Sequence, residues 1–175
     1  NTASITPDEN IHKLVKEYEE KLEKVYSTKA GELLRAIENS TQKIETPLSN
    51  FIAKIMLEYS KSDIAIINSD AIRNELNQGI IYYRDIYNIL PFNNELVVLN
   101  MTGKKITRIF DKSIATRYFL QIAGAKLDYY FTKLSSITFQ GNTLEDEKIY
   151  KVVTTDFLAE GGDGFIEFID VKEKI

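Results

Sequence analysis

The loop Gly161-Gly162-Asp163-Gly164 is the segment of this sequence best suited to meeting a ligand. Its glycines permit backbone angles that let a ligand come close. Asp163 offers carboxylate oxygens that accept hydrogen bonds from sugar hydroxyls. Taken alone, such a run is more often a plain turn. Aromatic residues flank it, Phe157 before and Phe165 after. An exposed aromatic ring beside a polar loop holds a flat heterocycle by stacking, worth about 1–3 kcal/mol per base, although a single Phe is more often core. Pro91-Phe92-Asn93-Asn94 has the same character. Its Asn94 amide can read the edge of a base, donating and accepting at once, or simply stabilise a helix-to-strand turn. Asn68-Ser69-Asp70-Ala71-Ile72-Arg73 follows a strand-like apolar run. Ligands of open α/β sheets bind beyond strand ends, and Arg73 can grip a phosphate in fork geometry. The plain alternative is a surface arginine paired to a carboxylate.

Other chemistries lack their residues. The sequence has no cysteine, so thiolate nucleophiles, disulfides and cysteine zinc sites are excluded. His12 is the one histidine, in a charged helical stretch. Di-metal hydrolase sites draw on several His and carboxylate ligands, so no metal ligands and no catalytic residues are expected in this chain. A formal charge of −4 and a pI near 5.2 give no basic stripe, so no DNA or RNA polymer is expected as partner. No run reaches the ~20 apolar residues of a membrane span. At 175 residues and 43% hydrophobic content the chain suits one domain with a real core. It opens Asn1-Thr2-Ala3 without Met, which reads as a fragment or a processed product.

The elements that position these segments follow from periodicity. Residues 8–26 read as a helix, with Ile11, Leu14, Val15, Tyr18, Leu22 and Val25 at helical spacing. Residues 30–44 fit strand or helix. Thr46-Pro47 starts a second helix, Thr as N-cap and Pro at the first helical position. Asp63–Asn68 reads as a buried strand, Ile80–Tyr82 as a strand, Tyr83–Leu90 as a short helix and Glu95–Met101 as a strand. A helix is expected over 104–116. Strands are expected at Phe119–Ile122, Lys126–Phe131, Ile137–Gln140 and Lys148–Thr154, with a last short one at Phe165–Asp170. The fold class is α+β: one domain, a mixed sheet with packed helices, preceded by a connector helix.

The order of the segments carries more than any one of them. Glu45-Thr46-Pro47-Leu48-Ser49-Asn50 comes first, then Asp63–Asn68 up to Ile72-Arg73, then Gly79-Ile80 with Asp85-Ile86-Tyr87. Leu90–Asn94, Met101-Thr102-Gly103, Phe119–Gly124, Tyr150–Thr155 and Phe157–Phe165 follow. This series closely resembles the C-terminal domain of the 5′-nucleotidase family, two-domain metallophosphoesterases that include UDP-sugar hydrolases and 2′,3′-cyclic-nucleotide phosphodiesterases. The resemblance spans about residues 10–168. It implies that residues 1–27 are a linker helix and 28–175 a substrate-binding domain. It also implies that the catalytic metallophosphoesterase domain, with two divalent metals, lies on an N-terminal partner domain of the same parent chain. It further implies a nucleoside or nucleotide ligand, an extracytoplasmic location (periplasmic, secreted or cell-surface) and a role in nucleotide catabolism. By resemblance Phe92 and Phe157 sandwich the base, Asn94 sits beside it, Asp163 binds the ribose hydroxyls, and Asn68 and Arg73 handle the scissile end of the substrate. The chain alone is expected to bind and not to hydrolyse. The alternative is a non-catalytic nucleoside-binding or surface interaction module.

Two departures from the family pattern bear on the ligand. The family usually has Arg three residues before the Glu of the Glu-Thr-Pro-Leu motif, where this sequence has Gln42 with Lys43 next to it. It prefers glycine where this sequence has Asp70. A lost guanidinium and a gained carboxylate both weaken anion binding unless Asp70 faces away. The expectation is therefore a ligand handled differently from an ordinary nucleoside monophosphate: a cyclic nucleotide, a nucleotide sugar or a less charged species.

Overall fold

A computed structural model describes residues 8–39 and 45–169. Helix α1 (Glu9–Tyr26) precedes strand β1 (Lys29–Leu33), helix α2 (Pro47–Ser60) and strand β2 (Ile64–Asn68). Then come β3 (Gly79–Tyr82), α3 (Tyr83–Ile89), β4 (Leu96–Thr102) and α4 (Gly103–Thr116). Strands β5 (Leu120–Ala123), β6 (Ala125–Tyr130), β7 (Lys133–Phe139), β8 (Asn142–Thr143) and β9 (Ile149–Thr155) follow, and α5 (Asp156–Ala159) is the last α-helix among the described residues. The class is α+β with a mixed sheet, as expected.

The central sheet has the order β4-β9-β2-β5. Strand β9 runs parallel to β2 and antiparallel to β4, and β5 is antiparallel to β2. All five residues of β2 are buried, because helices or strands cover both sheet faces. The pleat sends alternate residues to opposite sides. Ile64 and Ile66 enter one core with Val97, Leu99, Met101 and the α4 residues Ile106, Ile109 and Phe110. Ala65 and Ile67 enter the other with Val98, Val153 and the α2 residues Leu48, Ile52 and Met56. Strands β6-β7-β8 form a separate antiparallel sheet, and Leu134 and Ile137 of β7 close the first core. Strands β1 and β3 pair antiparallel beside the second.

Local chemistry fixes the element ends. Thr46 caps α2, its hydroxyl accepting from Ser49 N at 3.1 Å while Ser49 Oγ accepts from Thr46 N at 3.0 Å, a reciprocal capping box. The Ser49 hydroxyl also donates to Gln121 Oε1 at 2.6 Å, pinning the start of α2 to β5.

Several boundaries differ from the sequence reading. The last strand expected at Phe165–Asp170 is instead a 3-10 turn, Ile166–Phe168. Phe165 and Phe168 are the buried pair while Ile166 and Ile169 are exposed, and a spacing of three suits that turn rather than the two-residue period of a strand. Asp170 lies outside the described residues. The ambiguous 30–44 segment holds β1 and an isolated bridge from Ile37 to Leu76, and residues 40–44 lie outside the described residues. Helix α5 has no counterpart in the sequence reading. Helix α1 forms over the expected span, yet none of its residues is buried. It is held at its C-terminal end, where Tyr26 meets the Tyr87 ring at 5.5 Å and Arg84 pairs with Glu23 at 2.6 Å.

Candidate functional site

The topology brings the four interesting segments to one edge of the central sheet. Parallel β2 and β9 end at the same edge, so Asn68–Arg73 and Phe157–Asp163 both emerge there. Antiparallel β4 and β5 begin at that edge, Leu96 opposite Thr155 and Leu120 opposite Asn68. Hence Phe92–Asn94 and Tyr118 arrive at the same place. It is the strand-end crevice in which α/β sheets bind ligands.

Phe157 stands on α5, whose first turn is capped by Thr155: its hydroxyl accepts from Leu158 N at 3.3 Å. The Phe157 ring lies against Gly162, where a Cβ would overlap the ring carbons. That close approach is what the second glycine of the loop supplies. Despite this seat the ring remains 42% exposed. Phe92 is 53% exposed, and Asn93 after it turns the chain with φ of 51°. The two aromatic segments are tied together. Glu95 N donates to Asp156 Oδ1 at 3.1 Å, and Asp156 N donates to Glu95 O at 2.9 Å. Asn94 is exposed between them. Beside Phe92, Asn93 and Asn94 lies an apolar cleft of about 610 Å³, lined also by Phe51, Ile55 and Ile86.

Asp163 sits in the left-handed region, φ 55° and ψ 20°, a conformation that marks ligand sites when the surroundings enforce it. Asn68 holds it, Nδ2 donating to Asp163 Oδ2 at 2.8 Å, and the Tyr118 phenol stands near the same carboxylate. The loop is further anchored by Lys112, whose Nζ donates to Gly164 O at 2.5 Å and pairs with Glu167 at 3.2 Å. Asn68 itself is only 5% exposed, and its Oδ1 is buried without a partner.

Asp70 does not face away from the site. Tyr118 donates to Asp70 Oδ2 at 2.9 Å, so one phenol stands between the Asp70 and Asp163 carboxylates. Burial, then hydrogen bonds to Asp163 and Asp70, push the Tyr118 phenol above its ordinary pKa range, so it stays protonated. Among the described residues Arg73 makes no ion pair with a carboxylate. Its guanidinium lies over the Phe92 ring, 5.9 Å from the centroid, and Nη1 reaches the Asp70 carbonyl at 3.4 Å. All six residues singled out in the sequence thus reach one edge. Gln42, the other departure, lies outside the described residues. The sequence reading missed Tyr118 and the seating role of Gly162. The visible signal was the Tyr118 phenol just before a strand that begins at the shared edge.

Among the described residues no three His, Cys, Asp or Glu side chains come together as a metal-binding group. No described helix is long and apolar enough to cross a membrane.

Residues 24–170 match the family model for the 5′-nucleotidase, C-terminal domain. Protein UshA of Yersinia enterocolitica is 26% identical over 94% of this chain and 31% of its own length. Cell wall protein Lmo0130 of Listeria monocytogenes is 30% identical over 96% of this chain and 25% of its own. A 5′-nucleotidase precursor from Thermus thermophilus superposes with a TM-score of 0.79 at 24% identity, covering 97% of this chain and 38% of that one. The chain therefore spans about a third or less of the two curated relatives. On fold, motif order and family match together, the chain belongs to the 5′-nucleotidase C-terminal domain family.

Proposed function

We propose that this domain recognises the nucleoside part of the substrate for a 5′-nucleotidase-type phosphohydrolase. The observation that carries the reading is the convergence, at one sheet edge, of two exposed rings, Phe92 and Phe157, with a loop carboxylate, Asp163, gripped by buried Asn68. The rings stack the base, Asn94 lies at its edge, and Asp163 accepts from the ribose hydroxyls. Asn68 and Arg73 face the phosphate end. The apolar cleft shares Phe92 and Asn94 with this clamp but is lined by none of Phe157, Asp163, Asn68 and Arg73, so it lies beside the clamp. Relatives named 5′-nucleotidase and trifunctional nucleotide phosphoesterase support a nucleotide-processing role.

The two divalent metals that the resemblance implies do not fit this chain. Its one histidine is on exposed α1, and the described carboxylates form no ligand set. They belong on an N-terminal partner domain, to which residues 1–27 form the linker, with 28–175 as the substrate-binding domain. Recognition then contributes by positioning: binding energy at the base and sugar holds the ester against metals elsewhere. The parent works outside the cytoplasm in nucleotide catabolism, a reading supported by the relative named as a cell wall protein. A second reading, a nucleoside-binding module without turnover, is favoured specifically by Asp70 facing the site.

The test is phosphate release. The chain incubated with AMP, UDP-glucose or 2′,3′-cyclic AMP and added Mn²⁺ or Zn²⁺ is expected to release none while still being stabilised against heat by adenosine. Turnover by the chain alone would refute the placement of the chemistry.

A further inference from the structure

Tyr118 has one proton to give, and two carboxylates face it. Asp70 Oδ2 accepts that proton at 2.9 Å and Asp163 acts on the same phenol, so the two carboxylates neighbour one another at the sheet edge. No ion pair among the described residues includes Asp70 or Asp163. Arg73 lies over Phe92 and reaches only the main-chain oxygen of Asp70, while Lys112 is held by Glu167 and Gly164. Asn68, more than nine-tenths buried, aims its amide nitrogen at Asp163 from below. Asp70 and Asp163 are themselves exposed, so their remaining lone pairs are open to a ligand. An ionised carboxylate only accepts, so whatever meets both must bring donors. Tyr118, kept protonated, adds no third negative charge.

We infer that Asp70 is a second sugar-hydroxyl acceptor beside Asp163, positioned by Tyr118, so that the site selects ligands carrying two free vicinal hydroxyls. The inference rests on the base-and-sugar reading above and deepens it. Ribonucleosides, and nucleotides or nucleotide sugars with both ribose hydroxyls free, are the favoured class. Deoxyribonucleosides and 2′,3′-cyclic phosphates, which lack a donor or bring an anion, are disfavoured.

The test is calorimetric titration of the chain, its Asp70→Asn variant and its Tyr118→Phe variant with adenosine, 2′-deoxyadenosine, 3′-deoxyadenosine and 9-methyladenine. In the unmodified chain, removal of either hydroxyl is expected to weaken binding roughly ten- to a hundredfold, the worth of a hydrogen bond to a charged group. Asp70→Asn should lose discrimination against one of the two deoxynucleosides and keep it against the other. Tyr118→Phe should narrow the same one, as a positioning residue would. Equal discrimination in all three proteins would overturn the inference. If 9-methyladenine binds and Phe157→Ala abolishes that binding while hydroxyls make no difference, only this inference falls. If neither adenosine nor 9-methyladenine binds, the base clamp falls with it.

Discussion

Replacing Phe157 by alanine is expected to weaken nucleoside binding about 5- to 150-fold, the equivalent of one base–aromatic stack at about 1–3 kcal/mol. The ring is placed for ligand contact rather than for the core. It is 42% exposed, whereas Phe165, eight residues on, is 1% exposed and belongs to the main core cluster. Truncating Phe157 therefore removes less buried surface than truncating Phe165, and the melting temperature of the free protein should fall by less. Phe165→Ala should cost more, about 3–5 kcal/mol of stability through the cavity it leaves. Titration calorimetry with thermal melting of both variants separates the roles. Equal loss of stability in the two would show that Phe157 is a core residue after all.

The second large effect concerns the frame of the site. Gly124 joins β5 to β6 with φ of 86°, and a Cβ there would overlap the Asp63 carbonyl oxygen. That carbonyl cannot easily move. Asp63 N donates to Lys151 O at 2.9 Å, and Asp63 Oδ2 accepts from Lys151 N at 2.8 Å, fixing the start of β2 to β9. Gly124→Ala incurs about 1–2 kcal/mol for a left-handed alanine and about 1–3 kcal/mol for the overlap. A combined loss of about 2–5 kcal/mol is a large part of a typical domain's stability. The midpoint of thermal unfolding should fall on the order of 5–15 °C. Gly141→Ala is the matched comparison. It shares a positive φ, 81°, but has nothing within 4 Å of the added Cβ, so it should show the conformational cost alone. If the two variants melt together, the close approach at Gly124 carries no energy.

Much of this architecture was legible in the sequence because local signals and burial agreed. The Ile64–Asn68 run reads as a buried strand, and it is covered on both faces. Thr46-Pro47 reads as a helix start, and Thr46 caps one. Where a signal was tertiary, the reading failed. Phe165 and Phe168 look like strand residues by type, and only the core that receives both shows the three-residue spacing. Helix α5 is four residues long, too short for a periodic pattern, and depends on the Thr155 cap and the Asp156–Glu95 contacts. The six candidate residues could be chosen from type and order, but their meeting depends on strand directions. The Asp70 charge was visible in the sequence, and its pairing with Tyr118, 48 positions away, was not.

Calorimetric titration of the unmodified chain with adenosine tests the central claim most directly. The account predicts saturable binding at one site per chain. It also predicts that the binding is lost when Phe92 and Phe157 are both changed to alanine in a protein that still melts cooperatively. Absence of any heat of binding, or the same affinity in that double variant, would contradict it.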